Sequence, residues 1–310
     1  MGVLDTTLDT TLAGYTRLGF SARGLSVTER FPELDGLHVM VTGATGGIGR
    51  AAVERFADNG AVVHAVGRNR EKLDELAAAT DGDVRTWQAD LSSMEQVADL
   101  ARRFVEAGHP LHGLVNNVGV MVHDRTVTEE GIELTYATNL LGQYVLTNLL
   151  LPTLEGSEPA RVVLVSSGGM YSQPLTVSNI DSVHGEYSGT TAYARTKRGQ
   201  VVLAEEWARE LASRGVVVHS MHPGWADTAG VKTSLPTFRR ITGPFLRDEA
   251  EGADTIVWLI ASQQADRESG SFWHDRVARG THRMKRTVED PDKRSRFMDR
   301  LASDAAPWIE

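Results

Sequence analysis

From residue 37 onward, short runs rich in Val alternate with longer stretches of helical periodicity, and that alternation leaves few architectures open. The runs 37–42, 61–66, 84–89, 111–115, 160–166 and 216–221 are short, rich in Val and of low polarity, which suits strands buried on both faces. Between them, 48–59, 70–79, 94–107, 129–151 and 191–214 carry apolar residues at helical spacing. Strand and helix in strict turn imply an α/β fold: a Rossmann-type, doubly wound parallel sheet with helices on both sides and right-handed crossovers. Residues 36–275 read as one domain of this kind, with an extension over 1–35 and another over 276–310. Two stretches, 168–189 and 225–246, are too long and too rich in Gly, Pro, Ser and Thr for plain connections, which marks them as functional loops.

The first strand runs directly into Thr42-Gly43-Ala44-Thr45-Gly46-Gly47-Ile48-Gly49, which opens a helix. Gly43 suits a tight turn, Gly47 lets backbone approach a pyrophosphate, and Gly49 lets helix and strand pack closely. The helix start then offers unpaired N–H groups and a positive dipole end to phosphates. The second strand ends Ala65-Val66-Gly67-Arg68. A dinucleotide site for NAD places a carboxylate near this point to hold the ribose hydroxyls. Gly67 leaves that place empty, while Arg68, with Arg50 nearby, supplies the guanidinium fork suited to a 2′-phosphate. The reading is NADP, with NAD the less favoured cofactor.

These segments resemble the cofactor motif Thr-Gly-x-x-x-Gly-x-Gly of the short-chain dehydrogenase/reductase family. Because positions 46 and 47 are both Gly, the same stretch satisfies the Thr-Gly-x-x-Gly-x-x-Gly spacing of that family's extended branch, which includes sugar-nucleotide epimerases. Asn116-Asn117-Val118-Gly119 after the fourth strand resembles the Asn-Asn-Ala-Gly of the non-extended branch. Epimerisation would moreover need a sizeable C-terminal substrate domain, and the residues after Pro223 are mostly required to finish the sheet. The resemblance also implies that Asp90 and Leu91 contact the adenine ring. It implies that Pro223, Gly224, Trp225 and Thr228, in the turn after the sixth strand, lie at the nicotinamide.

Tyr193 and Lys197 open the helical stretch 191–214, and their i, i+4 spacing puts phenol and ammonium on one face. A phenol is a poor base at neutral pH, and a neighbouring cation is expected to lower its pKa toward the working range. Ser167 ends the fifth strand, at the sheet edge where open α/β folds bind ligands, and its hydroxyl is expected to orient a substrate oxygen toward Tyr193. Its neighbour Ser166 points the other way and reads as structural. The 26 residues from Ser167 to Tyr193 resemble the retinol-dehydrogenase-like branch. Asn139 matches the family's helical Asn that anchors a proton-relay water, and Lys197 its ribose-holding Lys. Longer strings at 166–170, 193–203, 222–228 and 251–255, with Gly14-Tyr15-Thr16-Arg17 near the start, resemble one group within the family.

The reading is therefore an NADP-dependent oxidoreductase interconverting a carbonyl and an alcohol, with Asn139, Ser167, Tyr193 and Lys197 as its catalytic set. The alternative is a non-catalytic NADP-binding regulator or scaffold on the same fold. Met121, His123, Met170, Tyr171, Trp225, Phe238 and Phe245 are candidates for an apolar substrate pocket, which suggests a lipophilic small molecule.

Composition excludes several other classes. With 32 Lys plus Arg against 41 Asp plus Glu, the net charge of −9 is wrong for a nucleic-acid binder. The absence of Cys removes disulfides, thiolate metal sites and cysteine nucleophiles, and fits a cytoplasmic chain. His219 and His222, three apart on a strand, point to opposite faces, so no metal is expected. No stretch reaches the ~20 apolar residues of a membrane span. The apolar stripe Leu4, Leu8, Leu12, Tyr15 is expected to dock on the chain's own core. Asp290 and Pro291 form a helix start, with Phe297, Met298 and Leu301 as the buried stripe of a docked C-terminal helix. The family pairs its two long helices, here 129–151 and 191–214, across a homodimer interface. The terminal extensions are the alternative cover for those faces.

Overall fold

The structure is a computed structural model that describes residues 5, 8, 11–227 and 242–309. Its centre is an eight-stranded sheet of β1 (His38–Thr42), β2 (Val62–Gly67), β3 (Val84–Gln88), β4 (Gly113–Asn116), β5 (Ala160–Val165), β6 (Val216–Met221), β7 (Phe272–His274) and β8 (Val277–Arg279). The strand order is β3-β2-β1-β4-β5-β6-β7-β8. Every pairing is parallel except the β7–β8 hairpin. The order reverses between β1 and β4, which opens a crevice at the carboxyl ends of the strands.

Helices α1 (Arg17–Ala22), α2 (Gly47–Asp58), α3 (Arg70–Ala79), α4 (Met94–Glu106), α5 (Gly142–Glu155), α6 (Gly189–Glu210), α7 (Glu249–Ala261) and α8 (Pro291–Ile309) accompany the sheet. The period-2 geometry of a strand divides its apolar residues between the two layers. Val39 and Val41 of β1, with Val163 and Val165 of β5, pack with α2 and α7. Met40, Val162 and Leu164 pack with α4, α5 and α6. Low polarity is therefore required in the inner strands, whereas the edge strand β3 is only partly buried and carries Arg85, Thr86 and Gln88.

The hairpin β7–β8 carries the sheet past residue 275, so the expected division between domain and C-terminal extension falls inside a hydrogen-bonded hairpin. Helix α8 starts with Asp290 Oδ1 accepting from Lys293 N at 2.7 Å, and it buries Phe297, Leu301 and Ala305. It lies on α5 and α6: Phe297 meets Gly199, and Arg294 pairs with Glu205 at 2.6 Å. The C-terminal helix thus covers part of the face through which the two long helices were expected to dimerise. Among the described residues, no helix is long and apolar enough to cross a membrane.

Candidate active site

The glycine turn is built by steric exclusion. Gly43 has φ +67°, and a Cβ there would sit 3.1 Å from Val118 Cα. A Cβ on Gly49 would lie 2.2 Å from Gly43 O, so helix α2 can follow β1 this closely only without a side chain. Thr42 is fully buried; its hydroxyl accepts from Asn117 N and Val118 N at 3.0 and 3.1 Å and donates to Val115 O at 3.2 Å. The Asn117 amide donates back to Thr42 O at 2.8 Å. Thr42 and Asn117 thus lock the ends of β1 and β4 together and shape the cleft from behind. Ile48 is turned toward α7, where it meets Gly252. Gly46 is exposed, and Gly47 begins α2 with φ +57°.

A cleft of about 720 Å³, its open mouth included, runs over the ends of β3, β2, β1 and β4. Of the residues expected at a dinucleotide, Gly43, Thr45, Arg68, Asp90, Leu91, Val118 and Gly119 line it. Val66, Gly67, Ala89, Ser92, Val120, Leu134 and Thr138 line it too and were not foreseen. Thr138 carried one available signal, its place beside Asn139. Its hydroxyl is buried and has no protein partner, a donor and acceptor left over at the cleft wall. A Cβ on Gly67 would lie 2.8 Å from Thr45 Cγ2, so a side chain at the carboxylate position of an NAD site would have to displace the Thr45 methyl. Arg68 is exposed at the cleft and pairs with no carboxylate among the described residues. Arg50, by contrast, is held by Glu54 at 2.8 Å. Cradle, leftover hydroxyl and free guanidinium together fit a phosphate-bearing dinucleotide.

Beyond Val118 the crevice reaches the four residues expected to be catalytic. Ser188 caps α6, accepting from Thr191 N, and so starts the helix where Tyr193 falls at the crevice. The Tyr193 phenol lies near the Ser167 hydroxyl, which acts to lower its pKa. Ser167 also caps the short turn Gly168–Ser172, accepting from Gly169 N at 3.2 Å. Lys197 Nζ stands 5.3 Å from the centre of the Tyr193 ring and donates to Val165 O at 2.8 Å. Ser166 donates to Lys197 O at 2.7 Å, fixing α6 against β5. A Cβ on Gly119 would come within 3.2 Å of Lys197 Nζ and 3.5 Å of Asn139 Oδ1, which places all three together.

Asn139 lies in a π-helical turn, Ala137–Leu141, at the entry to α5. Its amide accepts from Val120 N at 2.7 Å and donates to Val120 O at 2.9 Å and to Thr196 Oγ1 at 3.1 Å. It pins the loop after β4 to both helices, and nothing in the sequence announced the wider turn around it.

The electrostatics differ from the expectation drawn from spacing alone. Burial pushes the Tyr193 phenol up from its ordinary value, and the Ser167 hydroxyl offsets only part of that. Burial pushes Lys197 down to about 7. The ammonium lies over the Tyr193 ring, and desolvation governs both groups. Their proton affinities, nearly equal in water, are driven apart: the phenol holds its proton more firmly and the amine gives its proton up more readily.

In the turn expected at the nicotinamide, Gly224 has φ +77° and lies against the Arg247 guanidinium, which donates to Pro223 O at 3.3 Å. Trp225 is half-buried, and Thr228 lies outside the described residues, as does Phe238. Among the candidate pocket residues, Met170 is fully buried beside Phe272 and packs as core. Tyr171 is buried and donates to Gly280 O at 2.9 Å. Met121 is half-buried, while His123 and Phe245 are exposed. His219 spends both ring nitrogens, on Ala265 O and Trp273 Nε1.

Comparison with known proteins gives a consistent result. Residues 37–178 match the family model described as short chain dehydrogenase. The chain is 38% identical to dehydrogenase/reductase SDR family member 12 of Bos taurus, over 94% of this chain and 93% of that one. It is 30% identical to retinol dehydrogenase 14 of Mus musculus, over 78% of each. Among solved structures, an uncharacterized protein from Mycobacterium paratuberculosis superposes with a TM-score of 0.74 at 26% identity, covering 91% of this chain and 97% of that one.

Proposed function

Because this chain belongs to the short-chain dehydrogenase/reductase family, we propose that it is an NADP-dependent oxidoreductase interconverting a carbonyl and a primary or secondary alcohol on a lipophilic small molecule. The observation that carries the reading is Lys197 Nζ over the Tyr193 ring, with the Ser167 hydroxyl near the phenol and Gly119 of the cleft wall beside the ammonium. When bound, the nicotinamide dinucleotide supplies or accepts hydride. In the reducing direction, Ser167 Oγ donates to the substrate oxygen and holds it beside the phenol, and Tyr193 Oη delivers the proton. In the oxidising direction the phenol oxygen takes that proton back.

Lys197, while protonated, stabilises the phenolate left after proton delivery. Asn139 keeps the Val120 backbone in place between cleft and helix. Gly43, Thr45, Val118 and Gly119 hold the dinucleotide, with Asp90 and Leu91 at its adenine end and Pro223, Gly224 and Trp225 at its nicotinamide end. NADP is favoured because Gly67 supplies no carboxylate for the ribose and the Arg68 guanidinium, paired with no carboxylate among the described residues, stands at the cleft. The similarity to a retinol dehydrogenase supports a lipophilic substrate. With α8 lying over α5 and α6, we favour a monomer over a homodimer built on those helices. The cysteine-free composition favours the cytoplasm.

The test is a titration with NADPH and with NADH, followed by a screen of aldehydes and ketones with the tighter one. Tight NADPH binding and NADPH oxidation by at least one lipophilic carbonyl are expected. Tight binding with no hydride transfer across the panel would instead favour a non-catalytic NADP-binding protein.

A further inference from the structure

Tyr15 lies ahead of the family-matched region, which begins at residue 37, and no step above uses it. We infer that Tyr15 is a substrate-contacting residue that sets the size limit of the site; the inference rests on the proposed carbonyl–alcohol chemistry. The sheet order separates the two ends of the crevice. The dinucleotide cleft occupies the ends of β3, β2, β1 and β4, Ser167 stands at the end of β5, and β6 and β7 lie beyond it. A substrate with its oxygen at Ser167 and Tyr193 therefore extends its remaining bulk over β6 and β7.

The Tyr15 ring stands there. It stacks on Trp225 with centroids 5.6 Å apart, and lies 5.1 Å from the His222 ring at the end of β6 and 5.3 Å from the His274 ring on β7. A Cβ on Gly168, the residue after Ser167, would be 3.6 Å from Tyr15 Cε1. The ring thus begins one residue beyond the group that holds the substrate oxygen.

Its backbone is fixed. Tyr15 O accepts from Trp225 N at 2.8 Å. The preceding Gly14 O accepts from Arg23 and Arg247 at 3.1 and 3.0 Å, and the following Thr16 O from Arg247 at 3.3 Å. Arg247 is itself buried against Asp275, with contacts of 2.5 and 2.8 Å. A ring held this way is a wall and not a flap, so bulk beyond it must be excluded rather than accommodated. Burial drives the His222 and His274 imidazoles well below their ordinary pKa, and the Arg283 guanidinium lies over the Tyr15 ring at 5.6 Å from its centre. A fixed aromatic wall selects the body of a ketone by width.

The test uses the full chain with NADPH and ketones of increasing width, from straight-chain 2-alkanones to fused-ring ketones. In Tyr15→Ala, kcat/KM for the widest ketone relative to the narrowest should rise about tenfold or more, chiefly through KM, the scale on which an apolar pocket discriminates. Tyr15→Leu should show a smaller rise, and Tyr15→Phe should restore the wild-type ranking. Folding of each variant is read by circular dichroism and NADPH binding. If the wild type reduces the panel and the ranking is unmoved in the folded Ala and Leu variants, the Tyr15 assignment falls while the proposed function stands. If both variants fail to fold, the ring is a packing element and the assignment is likewise overturned. If the wild type reduces no ketone, the proposed function fails and the Tyr15 assignment with it.

Discussion

Replacing Lys197 by Met tests the electrostatics of the site without any substrate. In the folded chain burial lowers the Lys197 pKa from the ordinary 10.5 to about 7. Between those values the unfolded chain holds a proton that the native chain does not. Stability therefore rises with pH through the window and levels off below about 7, where both states are protonated. One pKa unit corresponds to about 1.36 kcal/mol. Integrated over the titration, the wild type should gain about 3 kcal/mol between pH 7 and pH 9.5 from this one group. Lys197→Met keeps the length of the side chain and has no proton to exchange. It loses the bond to Val165 O, an offset of about 1–3 kcal/mol that does not vary with pH. The assay is urea unfolding of both proteins, without cofactor, at four pH values from 7 to 9.5. The difference between wild type and variant should shift in favour of the wild type by about 3 kcal/mol across that range. Parallel curves would mean an ordinary, solvated ammonium, and would refute the argument that burial governs this site.

Other perturbations test separate parts of the account. Arg68→Ala should weaken NADPH binding by about 10- to 100-fold, the worth of a lost charged hydrogen bond, with little change for NADH; equal losses for both would remove Arg68 from the 2′-phosphate. Arg247→Met leaves Asp275 buried with Arg23 and the His274 ring beside it, and should cost about 3–5 kcal/mol in unfolding free energy, partly recovered by adding Asp275→Asn. Gly49→Ala forces a Cβ against Gly43 O and should destabilise the fold by about 1–3 kcal/mol, measured by the same unfolding assay.

The parts of the molecule that rest on local chemistry could be read from the sequence. Six strands, five helices and the glycine turn each carry their signal in local sequence, because burial on both faces demands runs of low polarity and a close helix–strand approach demands glycine. What escaped reading has a different origin. Helix α7 is buried over ten of its residues, Gly252 to Ala261, so it has no polar face and no helical period to detect. Strands β7 and β8 are three residues each, too short to show alternation. The role of Arg247 depends on Gly14 and Thr16, more than 230 residues away, and that of Tyr15 on Trp225 and His274, which no local pattern could join. The i, i+4 spacing of Tyr193 and Lys197 located the pair correctly on one helix face. It could not reveal that desolvation outweighs their attraction, since burial is set by β5 and the loop after β4.

The most direct measurement of the central claim is the rate of NADPH oxidation, with a ketone that the wild type reduces, in Tyr193→Phe. The phenyl ring keeps the packing against Lys197 and removes only the hydroxyl that delivers the proton. The account predicts a fall in kcat of about 10²–10⁴-fold with NADPH binding retained, the contribution of a positioned acid. A variant that turns over at the wild-type rate would contradict it.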